Sequence, residues 1–418
     1  VEAALAVGRE MLTGPESQAI VAAYDIATVG AATAATPAEA AAAAARIGAP
    51  VALKILSRDI SHKSDVGGVA LDLGGAAAVE AAARAMLERV RERRPEACVD
   101  GFTVEPMIRR PGAHELIAGM VEDEQFGPVI LFGQGGVAVE VVEDRALALP
   151  PLNMNLAREL MGRTRVHRLL QGYRDRPAAA LDAIALTLIK LSQLVTDVAE
   201  IAELDINPLL ADPAGVIALD VRIRLRRPAR AGPARLAIRP YPRELEEGVE
   251  VEGRRLLLRP VRPEDEPAFR RAFAKLSPQA VRMRFFAPLS ELSHALGARL
   301  TQLDYDREMA LVLADPGPAG PAEIYGVVRI GADPDNERAE FAVIVRDDMT
   351  GKGIGRLLMR RIIDYAAGRG IGEIFGDVLA ENAPMLDMCR RLGFVIEDGF
   401  GEAGVVRVHL RLAQASPR

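Results

Sequence analysis

A stretch rich in proline, arginine and glycine divides this chain and limits what it can fold into. Proline fixes φ and removes a backbone donor, so Arg226-Arg-Pro-Ala-Arg-Ala-Gly-Pro-Ala-Arg235, followed by Pro240-Tyr-Pro-Arg243, does not suit the interior of a helix or central strand. It reads as an extended connector over 227–253, between an N-terminal part, 1–226, and a C-terminal part, 254–418. At about 150 residues per domain, 418 residues make two or three domains. Hydrophobic residues are 50% and charged ones 26%, which supplies a core and excludes a disordered chain. A net charge of −6 argues against nucleic-acid binding by a broad basic surface. The alanine-rich runs are broken by charge, glycine or proline before they reach spanning length, so no membrane segment is expected. Two distant cysteines, Cys98 and Cys389, make neither a disulfide framework nor a zinc cluster, and fit a reducing cytoplasm.

Periodicity predicts strands at Val51–Leu56, Phe102–Glu105, Glu115–Val121, Val129–Phe132 and Val216–Asp220 in the N-terminal part, with helices from Pro15, over Pro37–Ile47 and near Asp182–Val195. The C-terminal part reads as a strand from Arg255, helices from Pro263 and over Ser290–Leu303, and strands at Met309–Ala314, Ile324–Ile330 and Ala339–Val345. A helix over Lys352–Arg369, a strand at Glu373–Val378, a helix over Asn382–Arg391 and a strand at Val405–Arg411 follow. The pattern is α/β or α+β in both parts.

The most informative stretch runs from Glu340 to Leu358, where a strand feeds a loop with Gly351, Gly353 and Gly355, and the loop feeds a helix. Closely spaced glycines let backbone N–H groups converge at a helix N-terminus, which suits a pyrophosphate. A glycine-bearing turn without a ligand has the same spacing. The sequence Thr350-Gly351-Lys352-Gly353-Ile354-Gly355, the element order around it, and Asn382 ahead of Arg391-Leu-Gly-Phe394 resemble the GNAT N-acetyltransferase superfamily. The resemblance covers about Arg255 to Leu412 and implies a GNAT acyl-CoA N-acyltransferase fold. Thr350 stands where the family usually has Gln or Arg. The resemblance implies that residues 350–355 cradle acetyl-CoA, that its pantetheine arm pairs with the strand near Val343 and Val345, and that Asn382 bonds that arm. Aminolysis of a thioester needs a neutral amine, and a carboxylate on the strand beside the thioester can take its proton; Glu340 is the candidate general base. An exposed strand carboxylate with no such role is the other reading of Glu340. Cys389 occupies the place where many relatives carry an acidic Tyr, and reads as a packed small hydrophobe.

In the N-terminal part, Lys54 ends an apolar run and is followed by Ser61-His62-Lys63-Ser-Asp-Val-Gly-Gly-Val69. Then come Glu105-Pro-Met107, His114-Glu115, Phe132-Gly-Gln-Gly-Gly136, and Asp205-Ile-Asn207-Pro208. Singly, Lys54 reads equally as a snorkelling cation, and Asp205 and Asn207 as turn chemistry. In order, from about Leu12 to Arg224, they resemble the ATP-grasp domain of NDP-forming acyl-CoA synthetases, relatives of the succinyl-CoA synthetase β subunit. The resemblance implies that Lys54 and the loop at His62 hold ATP phosphates, that Glu105 and Glu115 contact the nucleoside, and that Asn207 and Asp220 bind Mg²⁺. It places Asp205 near a phosphohistidine docking site and makes His62 a candidate phosphoryl relay, a role open to neutral imidazole. An exposed loop histidine is the alternative for His62.

Together, the two parts resemble Pat-type bacterial protein lysine acetyltransferases. That resemblance implies acetyl transfer to lysine ε-amines of a protein, an acyl-CoA synthetase among the candidates, with the ATP-grasp region sensing a ligand such as CoA or an adenine nucleotide. It implies two further domains upstream, and a homo-oligomer is compatible with it. The alternative is an ADP-forming acyl-CoA ligase portion, ATP- and Mg²⁺-dependent, with GNAT as the accessory.

Overall fold

The computed structural model describes all residues but 49, 61–62, 137–142, 175, 229–231, 398–403 and 413–418, and omits the side chains of 233–234. His62 therefore lies outside the described residues. The chain divides into two compact units, Val1–Ile238 and Arg239–Arg418.

The first unit holds two antiparallel sheets. Strands β1 (Ala32–Ala34), β2 (Val51–Ser57), β3 (Val69–Leu73) and β4 (Val99–Pro106) form a four-stranded sheet in the order β1-β4-β2-β3. The helices Pro37–Ile47 and Ala76–Arg93 cover it. The first is capped by Thr36, whose side chain accepts from Glu39 N–H at 3.2 Å, and ends at Gly48 in the left-handed region. Its buried alanines, Ala40, Ala41, Ala43 and Ala44, let it lie close to its neighbours. Strands β5 (His114–Asp123), β6 (Gly127–Gln134), β7 (Arg145–Ala148), β8 (Ile201–Asp212), β9 (Gly215–Ala218) and β10 (Val221–Leu225) form the second sheet, in the order β10-β8-β5-β6-β7 with β9 on β8. Its apolar face packs under the helix Leu181–Asp197.

The second unit is one eight-stranded sheet. Strands β11 (Glu247–Val251), β12 (Arg254–Pro260), β13 (Glu308–Ala314), β14 (Ile324–Ala332), β15 (Arg338–Val345), β16 (Glu373–Leu379), β17 (Val395–Glu397) and β18 (Val405–Arg411) run in the order β11-β12-β13-β14-β15-β16-β18-β17. Among the described residues only β15 and β16 pair in parallel, joined by the crossover helix Ile354–Gly368. That helix buries Ile354, Leu358, Met359, Ile362 and Ala366 against one sheet face. The helices Glu266–Phe273, Pro278–Phe285 and His294–Thr301 supply side chains to smaller clusters that include Ala310, Val312 and Ile324 of the sheet.

Two departures from the sequence reading have physical causes. The stretch 227–253, expected to be connector throughout, contains β11: Glu252 and Gly253 adopt φ of 49° and 77° and close a two-residue hairpin that pairs Val251 with Arg254. Asp205 and Asn207, for which turn chemistry was one reading, lie inside the twelve-residue strand β8. Asn207 and Pro208 stand opposite the single residue Ile117, where the β5–β8 register shifts. A bulge accommodates the missing proline donor, which is how proline enters a central strand.

Candidate functional site

In the second unit, strand divergence builds the site. Strand β15 pairs with β14 from Ala339 to Val345, but with β16 only over Arg338–Glu340. Beyond Glu340 the backbone of β15 therefore has no partner strand on that side among the described residues. The Phe341 ring packs over Gly376, where a Cβ would fall 2.8 Å from Cε1 of that ring, and against Phe394 at 5.2 Å between centroids. The gap opens into a cleft of about 1430 Å³.

Val343, Val345, Thr350, Gly351, Gly353, Ile354, Gly355 and Asn382 all line this cleft. Gly351 and Gly353 have φ of 79°, a region closed to most side chains, and space around them is open. The turn thus aims the first N–H groups of the helix Ile354–Gly368, which have no intrahelical acceptor, toward the cleft. Thr350 does not replace the family's longer side chain: its hydroxyl donates to the Asp347 carbonyl at 2.8 Å and closes the turn. Lys352 is not among the cleft-lining residues and pairs with Glu252 at 2.9 Å. The Asn382 carboxamide oxygen caps the helix Ala383–Arg391 by accepting from Met385 N–H at 3.2 Å, which fixes the side chain and leaves its NH₂ free to donate.

Glu340 lines an adjoining cavity of about 450 Å³ with Asn382, Asp377 and Arg284. Asp377 is held by Arg407 at 2.8 and 2.9 Å, which leaves Glu340 the exposed carboxylate there. Cys389 is fully buried in the core, and burial pushes its thiol up to about 11, so it stays a neutral packing group. The sequence offers Arg284-Phe285-Phe286 either for the acceptor cleft or for aromatic core packing, and the fold brings Arg284 to this cavity from a helix far from the sheet strands in sequence.

The first unit gathers its sequence-predicted residues into one polar cluster. Lys54 Nζ lies 2.7 Å from Glu105 Oε2 and donates to the Leu219 carbonyl at 3.2 Å, next to Asp220. Glu105 is buried and also accepts from Gln18 at 3.4 Å. The bulge at Asn207 brings its backbone N–H 3.2 Å from the Asp220 carbonyl. Gly136 links the remaining pair: its N–H donates to Asn207 Oδ1 at 3.1 Å, and a Cβ there would fall 2.1 Å from Glu115 Oε2. Lys63 and Arg222 add cations that sequence reasoning missed. Burial lowers the Lys63 pKa, opposed by Asp220 and reinforced by Lys54 and Arg222. Asp205 is pushed up to about 6, mainly by burial, with Arg222 opposing and Asp220 and Glu203 reinforcing. Among the described residues, no group of three or more His, Cys, Asp or Glu forms a metal site. The donors at hand, the Asn207 amide oxygen and the Asp220 carboxylate, are hard oxygens of the kind Mg²⁺ accepts, with phosphate and water completing the shell.

Comparison with known proteins agrees with this division. Residues 3–225 match the ATP-grasp domain family, and residues 255–395 match the acetyltransferase (GNAT) domain family. An acetyltransferase of Pseudomonas aeruginosa, PA5475, is 36% identical over 144 residues, 34% of this chain and 77% of that protein. The chain belongs to the ATP-grasp and GNAT acetyltransferase families. Its ATP-grasp unit is 33% identical to the acetate–CoA ligase [ADP-forming] I subunit beta of Pyrococcus furiosus, over 54% of this chain and 96% of that subunit. It is 41% identical over 179 residues to acetate–CoA ligase [ADP-forming] I of Archaeoglobus fulgidus, of which it spans only 26%. Among solved structures, a Ca. Korarchaeum cryptofilum dinucleotide-forming acetyl-coenzyme A synthetase 1, in complex with coenzyme A, Ca-AMPCP and HgCl+, superposes on 54% of this chain and 97% of its own, with TM-score 0.52 and 36% identity. Among the described residues of the ATP-grasp–GNAT chain, no helix is long and apolar enough to cross a membrane.

Proposed function

We propose that the GNAT unit transfers acetyl from acetyl-CoA to lysine ε-amines of a protein, as in the Pat-type group, and that the ATP-grasp unit binds an adenine nucleotide or CoA in a sensing role. The observation that carries this reading is a single cleft whose walls include the unpaired stretch of β15, the Gly351–Gly353 turn and Asn382, with Glu340 in the adjoining cavity. The free backbone edge at Val343 and Val345 suits the polyamide of a pantetheine arm. The turn and helix N-terminus suit its pyrophosphate.

Glu340 takes a proton from the incoming ammonium, directly or through water, and the neutral nitrogen attacks the thioester carbonyl. The N–C bond forms, the nitrogen releases its second proton to solvent, the C–S bond breaks, and the CoA thiolate takes a proton from solvent. Cys389 is buried and plays no part in that last step. In the other unit, Lys54, Lys63 and the loop at His62 would hold phosphates, Glu105 and Glu115 the nucleoside, and Asn207 and Asp220 a Mg²⁺ that neutralises phosphate charge.

The acceptor test is mass spectrometry of an acyl-CoA synthetase after incubation with acetyl-CoA and this chain. Acetyl-lysine is expected, and acetylation of small amines alone would refute the protein acceptor. A second reading, an ADP-forming ligase portion, is favoured by the joint retention of Lys54, Asn207 and Asp220 in one cluster. ATP-dependent ADP release with acetate and CoA, by this chain together with the other domains of such a ligase, would favour it over a sensing role.

A further inference from the structure

Three cavities of the GNAT unit meet at one side chain. Arg284 lines the nucleotide-side cleft, the Glu340 cavity, and a third, apolar chamber of about 670 Å³. Phe269, Phe273, Leu276, Phe285, Leu292 and Leu300 supply much of the chamber wall. Its floor is the sheet face that carries Glu340. Strand alternation puts Glu340, Ala342 and Ile344 on one side of β15, opposite Gly331, Arg329 and Val327 of β14. Ala342 and Ile344 line the chamber, so it begins one side-chain step from Glu340 along the same face.

Two of the three cations on the chamber wall are paired. Arg329 holds Glu308 at 2.9 Å, and Arg346 holds Glu323 and Asp348. Arg284 stacks over Phe285 at 4.9 Å and has no ion pair or hydrogen bond among the described residues. Burial pushes its guanidinium down to about 10, with Arg329 reinforcing and Glu340 opposing. A half-buried guanidinium beside a second cation is stabilised by a carboxylate, which it can bind in a bidentate fork.

We propose that this site also acetylates the α-amino group of free amino acids with apolar side chains, holding the carboxylate on Arg284 and the side chain in the aromatic chamber. The α-amine is two bonds from the carboxylate carbon, and Arg284 and Glu340 line the same small cavity, so the amine of a carboxylate held there faces Glu340. The inference rests on the acetyl-transfer reading of this unit but names an acceptor class other than protein lysine. The reaction balances as before. The ammonium loses one proton to Glu340 and a second as the N–C bond matures, the C–S bond breaks, and N-acetyl amino acid, CoA thiol and one solvent proton result.

The test is CoA release and product mass by the full wild-type chain with acetyl-CoA and L-leucine, glycine, or L-leucinamide. A charge-assisted contact and a filled apolar chamber each predict that leucine exceeds both comparators by about tenfold or more in kcat/KM. Arg284→Gln is expected to bring the leucine-to-leucinamide ratio to about one. Acetylation of a protein lysine with no N-acetyl-leucine would overturn the inference and leave the acetyl-transfer reading standing. So would equal use of leucine and leucinamide, or a ratio unmoved by Arg284→Gln. Acetyl-CoA binding by calorimetry with no acetylation of any amine would overturn both.

Discussion

Gly353→Ala isolates the contribution of the glycine turn to acetyl-CoA binding. Gly353 caps the helix Ile354–Gly368 with φ 79° and ψ 0°, and a Cβ built there meets nothing within 4 Å. The penalty is therefore backbone strain alone, about 1–2 kcal/mol for a non-glycine residue in the left-handed region. If the turn keeps its shape, strain appears as lost stability, a fall in Tm of about 2–8 °C for a unit of this size. If the peptide rotates to relieve it, the N–H cradle is lost and the acetyl-CoA Kd rises about five- to thirtyfold. Gly368→Ala, at the far end of the same helix, is the control: its φ is not left-handed, and its added Cβ would meet nothing within 4 Å. Isothermal calorimetry with acetyl-CoA and thermal melts read both quantities for both variants. Unchanged Kd and Tm in Gly353→Ala, or equal losses in Gly368→Ala, would refute the reasoning.

Other perturbations test separate parts of the molecule. Asp265→Ala should destabilise by about 3–5 kcal/mol, because it strands Arg259, whose guanidinium is 2% exposed and forks onto Asp265 at 2.7 Å twice. Replacing both residues by apolar ones should cost less in denaturant unfolding, and equal losses would refute that origin. Asp205 has its folded pKa raised from 3.8 to about 6, so the folded state favours the protonated form. Stability should therefore rise as pH falls through about 6, and ionised Asp205 costs up to about 3 kcal/mol above it. Asp205→Asn is accordingly expected to raise the denaturant midpoint at pH 8 and to give no gain at pH 3.5; a gain of the same size at both would contradict this.

Local signals carried the second unit well. The strand, glycine loop and helix from Glu340 to Arg369 are contiguous, and eight of the nine residues expected at acetyl-CoA line one cleft. Lys352 is the exception, drawn to Glu252 by a hairpin whose Glu-Gly turn the proline-rich context obscured. Long-range geometry was not legible. Asn207-Pro208 looks like a turn in isolation, and only its opposition to Ile117 makes it a bulge that turns Asn207 toward Asp220. Arg284 was legible only as a residue beside Phe285 and Phe286, and its position depends on three helices and three strands meeting around one chamber. Lys63 sits in a quoted motif, but its burial beside Asp220 and Arg222 is set by other segments of the fold.

The central claim is acetyl transfer with Glu340 as base. Its most direct measurement is acetyl-lysine formation on a protein acceptor, followed by intact-mass spectrometry with acetyl-CoA, for wild type and Glu340→Gln. The account predicts turnover in wild type and a fall of about a hundredfold or more in Glu340→Gln, with acetyl-CoA affinity retained. Equal turnover in the two proteins would contradict it.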